Sequence, residues 1–91
     1  MAIIITYDVP SKHVELKAAM KKLGYVDQIP GETCKIIYFP NTTLYHSSKA
    51  ASEAREDVKA ISTKLGVELE RCVSTQWGPN WAAICGEPFK S

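Results

Sequence analysis

The run Ala2-Ile3-Ile4-Ile5-Thr6-Tyr7 constrains the fold more than any other stretch of the chain. Its isoleucines and threonine are β-branched and stiff at χ1, which favours strand over helix. Apolar residues fall on both parities, so both faces need cover, as in the central strand of a sheet. The run stops at Asp8. Val9-Pro10-Ser11 then reads as a helix entry, with Ser11, or alternatively Asp8 itself, as the N-cap. A central strand needs a partner on each edge, and the remaining sequence must supply both.

Two amphipathic helices punctuate the chain. The first is expected over about 11–23, with Leu16, Ala19, Met20 and Leu23 on one stripe and Gly24 as a left-handed stop. The second is expected to start at Ser47 or Ser48 and run to Leu65. Ala50, Ala51, Ala54, Val58, Ile61 and Leu65 form its buried stripe, and Gly66 ends it. Between them, Tyr25–Ile29 and Lys35–Phe39 read as a hairpin around Pro30-Gly31, with Pro40 at its end. Asn41–Ser48 reads as a polar loop. After the second helix, Val67, Leu69, Arg71, Val73 and Thr75 alternate with Glu68, Glu70, Cys72, Ser74 and Gln76, which suggests a strand with one wet face. Gly78-Pro79-Asn80 is a turn, and 81–85 reads as a last short strand.

With 91 residues the chain has room for one domain, assigned to 1–86 with a tail over 87–91. Eleven basic and ten acidic side chains leave a net charge of +1, so no global charge demands a nucleic acid or a membrane. No apolar run is long enough to span a bilayer. Cys34, Cys72 and Cys85 cannot all pair within the chain and none lies in a CxxC. The expectation is free thiols in a reducing cytoplasm. The order strand, helix, strand, strand, helix, strand is most economically satisfied by an α+β, ferredoxin-like βαββαβ fold. It places an antiparallel sheet with both helices on one face, plus a short C-terminal strand.

The segment IIITYDVP, the helix ending KKLGY, the hairpin strand KIIYFPNTT and the later NWAAICG together resemble a known group. It is the small-subunit superfamily of the CRISPR spacer-acquisition complex, with the related SinR-like small proteins. The resemblance is carried mainly by residues 2–43 and beyond them by element order. It implies a ferredoxin-like protomer that forms a homodimer, with the terminal strand packed across to the partner. In nuclease-active members the aspartate matching Asp8 meets its symmetry mate and binds one divalent metal, while other members scaffold DNA or a protein without catalysis.

Several residues are singled out, each with a plainer alternative. Asp8 is a candidate catalytic and metal-holding carboxylate: Mg²⁺ takes oxygen ligands and keeps waters, so one carboxylate from each of two protomers would suffice. It is equally a turn residue at a strand end. The nuclease members carry arginines early in the first helix, where this chain has Ser11, Lys12, His13, Val14, Glu15 and Lys17. That departure removes the usual clamp on phosphodiester charge. Lys12, Lys17, Lys21, Lys22 and Lys35 would track a nucleic-acid backbone, or simply solubilise a helix face. Trp77, Trp81 and Ile84 are candidates for a dimer seam. His13 and His46 read as surface or loop histidines.

Three functions follow. The first is a dimeric interaction or nucleic-acid-scaffolding protein without catalysis and without a cofactor. The second is a Mg-dependent endonuclease acting on RNA or duplex DNA through Asp8. The third is a phage- or toxin-type regulator that binds a host protein. No membrane partner is expected.

Overall fold

A computed structural model describes residues 1–88. The elements are β1 (Ile3–Asp8), α1 (His13–Lys22), β2 (Gln28–Pro30), β3 (Ile36–Tyr38), β4 (Thr43–His46), α2 (Ala51–Leu65) and β5 (Arg71–Gln76). Part of the expected tail, from residue 89 on, lies outside the described residues. The fold is α+β: a three-stranded antiparallel sheet in the order β4-β1-β5, two helices, and a separate β2-β3 hairpin. No helix among the described residues is long and apolar enough to cross a membrane.

The opening strand is central, as its composition requires. Ile3, Ile4, Ile5 and Thr6 pair with His46, Tyr45, Leu44 and Thr43 on one edge, and residues 3–8 pair with β5 on the other. Ile3, Ile5 and Tyr7 face the helices and are almost fully buried. They join Leu16 and Met20 of α1, Ala54 and Val58 of α2, and Val9, Tyr25, Leu44 and Val67 in one core. Burying each such side chain contributes about 1.5–3 kcal/mol, enough to explain why both helices settle on this face.

The helix ends follow backbone chemistry. Gly24 has φ +97 and Gly66 has φ +70, so both expected glycine stops are left-handed. A Cβ on Gly24 would also lie 2.9 Å from His46 Nε2. The entries differ from expectation. The N-cap of α1 is Lys12, left-handed at φ 59, and neither Ser11 nor Asp8 caps it. Lys12 Nζ donates to the Leu65 carbonyl at 2.7 Å, tying the start of α1 to the C-terminal end of α2. Cations are favoured there by the helix dipole. Helix α2 starts at Ala51, later than the serines suggested, and Glu53 accepts the Ala50 N–H at 2.9 Å.

Four further expectations are corrected. The stretch 41–48 contains β4, a direct neighbour of β1. Its polar Thr43 and His46 are buried by pairing and hydrogen bonding, so polarity disguised a sheet strand. The expected hairpin is present as β2-β3, but its first strand starts at Gln28 instead of Tyr25, and ahead of it Val26 touches the sheet through an isolated bridge to Tyr45. Residues 81–85 form no strand. In β5 the wet and dry faces are exchanged: Cys72 and Ser74 face the helices, while Val73 is 63% exposed. Val67 and Leu69 pack on the core before the strand begins, and the chain changes parity between Leu69 and Cys72. Ser74 satisfies its inward hydroxyl by donating to the Ala51 carbonyl at 2.6 Å.

The cysteines are also corrected. Cys34 and Cys85 are joined in a disulfide, and Cys72 is free. The odd count is resolved by β5 parity, which turns Cys72 toward the helices and away from the other two.

Candidate functional site

The face of the sheet opposite the helices carries Ile4, Thr6 and Asp8 from β1, Thr43 and Tyr45 from β4, and Arg71, Val73 and Thr75 from β5. One end of it is polar. Asp8 lies directly across from Arg71, and Arg71 Nε donates to Asp8 Oδ2 at 2.6 Å. Beside them Thr43 Oγ1 donates to Thr6 Oγ1 at 3.3 Å. The guanidinium of Arg71 is held above its usual range by its hydrogen bond to Asp8 and by that carboxylate's charge. Both side chains are at least half exposed, so the pair orders the strand ends more than it stabilises them.

The other end is aromatic. Trp77 follows β5 and its N–H donates to the Ala2 carbonyl at 2.9 Å, which fixes it at the edge of the sheet. Its ring meets Phe39 at 6.1 Å, Tyr45 at 6.0 Å and Trp81 at 4.7 Å. The contacts with Phe39 and Tyr45 are edge-on, which ring quadrupoles favour, and that with Trp81 is tilted. Residues 81–88 run back past the hairpin, held by the disulfide to Cys34 and by the Tyr38 N–H donating to the Cys85 carbonyl at 2.9 Å. Between this segment, the hairpin end and the sheet lies an open cleft of about 690 Å³, with Ile4, Phe39, Trp77, Trp81 and Ile84 among its walls.

A second polar cluster sits on the helix side. Tyr25 Oη donates to Asp57 Oδ2 at 2.8 Å, Lys49 Nζ donates to the same oxygen, and the Lys49 ammonium lies 5.6 Å from the Tyr25 ring centre. Burial pushes the Tyr25 hydroxyl up, and Asp57 adds to the shift. Burial opposes ionisation of Asp57, but hydrogen bonds from Lys49 and Tyr25 outweigh it and hold the carboxyl below its usual range. His46 packs edge-on to Tyr25, accepts the Ser48 N–H at Nδ1 and contacts the Leu23 carbonyl through Nε2 at 3.0 Å. That network requires the neutral tautomer with its proton on Nε2. These groups satisfy one another and stitch β4 to both helices.

Of the lysines singled out in the sequence, Lys17 and Lys21 meet on one carboxylate, and the five do not form a row. Lys12 is spent on Leu65. Lys17 is 3% exposed and lies 3.8 Å from Asp27, and burial lowers its pKa. Lys21 lies 3.2 Å from the same carboxylate. Lys22 and Lys35 are exposed, on α1 and on the hairpin loop respectively. Trp77, Trp81 and Ile84 do share one wall, with Ile84 83% exposed. Among the described residues, no three His, Cys, Asp or Glu side chains gather as metal ligands. Sequence reading missed Arg71 as the partner of Asp8, and Phe39 and Tyr45 as members of the aromatic end. The parity of β5 marked Arg71 as facing the same side as Val73, but the register against β1 is not written locally. In comparisons with known proteins, no family model, no curated protein and no solved structure matches the chain.

Proposed function

We propose that this chain is a non-catalytic interaction protein that self-associates through the helix-free face of its sheet. The observation carrying this reading is the apolar surface left on that face: Val73 at 63% exposure, Trp81 at 40% and Ile84 at 83%, around an aromatic cleft. Residues 81–88 cover only part of this face, and apolar patches of this kind mark contact surfaces. A second copy suits it because Asp8 and Arg71, which face each other across β1 and β5 on this side, neutralise each other. Among the described residues a polyanion finds no cation row there, since the lysines of α1 lie on the other side of the sheet.

The reading keeps the resemblance to the CRISPR small-subunit superfamily as a proposal. Read that way, the strand order β5-β1-β4 with the bridge at Val26 is a ferredoxin-like sheet whose outer strand has shrunk to a single pairing and whose remainder became the hairpin. For the endonuclease alternative, a metal at Asp8 would compete with the Arg71 guanidinium for the same oxygens.

Light scattering of the oxidised protein is expected to give twice the 10.1 kDa chain mass at micromolar concentration, and Val73→Asp is expected to return it to the chain mass. A monomer in the unsubstituted protein would remove the reading. Mg²⁺-dependent cleavage of RNA or duplex DNA that disappears in Asp8→Asn would replace it with the endonuclease.

A further inference from the structure

We propose that the Cys34–Cys85 disulfide is a reversible redox latch on the helix-free face. Intact, it holds residues 81–88 as a strap along the aromatic cleft. Reduced by a dithiol, it frees the strap and uncovers Ile4 of β1 and the Trp77 ring that follows β5.

The strap is separable from the domain. Residues 81–88 have no helix or strand and are exposed throughout. No residue of the hydrophobic core cluster comes from them, nor from the β2-β3 hairpin to which they are tied. Their attachments include the disulfide, the Tyr38–Cys85 backbone hydrogen bond and the Trp77–Trp81 ring contact. Segments with few buried contacts open at a fraction of the global unfolding free energy. Releasing the strap therefore leaves β4-β1-β5 and both helices intact.

The bridge is also reachable. Cys85 is exposed and Cys34 is half-buried. A thiolate of the reductant attacks Cys85 Sγ, the S–S bond breaks, and the electron pair leaves on Cys34 Sγ, which takes a proton. The reductant's second thiol then resolves the mixed disulfide, releasing Cys85 as a thiol and closing the reductant into its own disulfide. Two electrons and two protons pass to the protein. Cys72 stays out of the exchange: it faces α2 from the opposite side of the sheet, and burial pushes its thiol up. Reshuffling onto it would require β5 to leave β1.

The same third thiol makes the test internal. Native protein is treated with dithiothreitol without denaturant, alkylated with iodoacetamide, and mapped by mass spectrometry alongside amide exchange. The expected result is alkylation of Cys34 and Cys85 but not Cys72, with exchange at the Tyr38 amide, which donates to the Cys85 carbonyl, rising by about tenfold or more while β1 amides keep their protection. Alkylation of all three thiols together with loss of β1 protection would overturn the latch and make the disulfide a global staple. Reduction with unchanged exchange at the Tyr38 amide would overturn it as well. The double variant C34S/C85S is expected to show the open pattern without reductant, and the closed pattern there would refute the proposal. Its consequence for assembly rests on the proposed self-association: reduction is expected to weaken the dimer by about tenfold, because Trp81 and Ile84, two of the three exposed apolar residues of the proposed contact face, leave with the strap. Strap release with a chain-mass particle in both redox states would remove the self-association and leave the latch standing.

Discussion

On one face of β1, Ile3, Ile5 and Tyr7 are at most 2% exposed; on the other, Thr6 and Asp8 are open to solvent and Ile4 is half-buried beneath an irregular segment. The two sides are alternating residues of the same strand, so local propensity cannot account for the difference. What differs is the cover. The first side is roofed by two helices whose buried side chains join those of the strand in one core. The second is roofed in part by a strap whose attachments include a disulfide, a backbone hydrogen bond and a ring contact. One side owes its order to packing, the other to tethering. Packing resists every perturbation that leaves the side chains in place, whereas a tether can be cut chemically without disturbing them.

The comparison can be broken by substitution. Leu44→Ala, at a fully buried position on the packed side, is expected to destabilise the protein by about 3 kcal/mol in urea unfolding. A loss below about 1 kcal/mol would mean that side is not the core. Next in size, Gly24→Ala is expected to cost about 1–2 kcal/mol, from a left-handed backbone and a contact with His46.

Alkali sharpens the contrast further. Burial, with a smaller push from Asp27, raises the Tyr7 hydroxyl from 10.0 to about 12. Below pH 10 that hydroxyl is protonated in both folded and unfolded chains, and its contribution is fully present. As pH climbs toward about 12 the unfolded chain loses the proton first, so stability falls. Tyr7→Phe is expected to flatten that part of the stability profile, and an unchanged slope would mean Tyr7 is not shielded. The smallest stability effect belongs to the tethered side. Val73→Asp is expected to shift stability by less than about 0.5 kcal/mol while abolishing self-association. A larger loss would show that this face is packed after all.

How much of this was legible in the sequence depended on whether the signal was local. The central strand, both helices and their glycine stops follow from β-branched runs, 3.6-residue stripes and left-handed preference, all contained in short windows. β4 was hidden because Thr43 and His46 look like loop residues until Thr6, Leu23 and Ser48 supply their hydrogen bonds. The β5 faces were exchanged because the change of parity after Leu69 is a property of the connection, not of the alternation itself. The Asp8–Arg71 pair and the Cys34–Cys85 bridge join positions far apart in the chain. Of the candidate site, the tryptophans were read from composition. Their grouping with Phe39 and Tyr45 depended on how the hairpin swings out of the sheet.

The position of β1 between β4 and β5 also governs how the chain must be born. The greasiest strand precedes both its partners in the chain, so Ile5 waits for Leu44 on one edge and for Ser74 on the other. Until β5 emerges, one edge of that strand remains an open template for a neighbouring nascent chain. A truncation ending before Arg71 is therefore expected to precipitate, not to yield a smaller soluble domain.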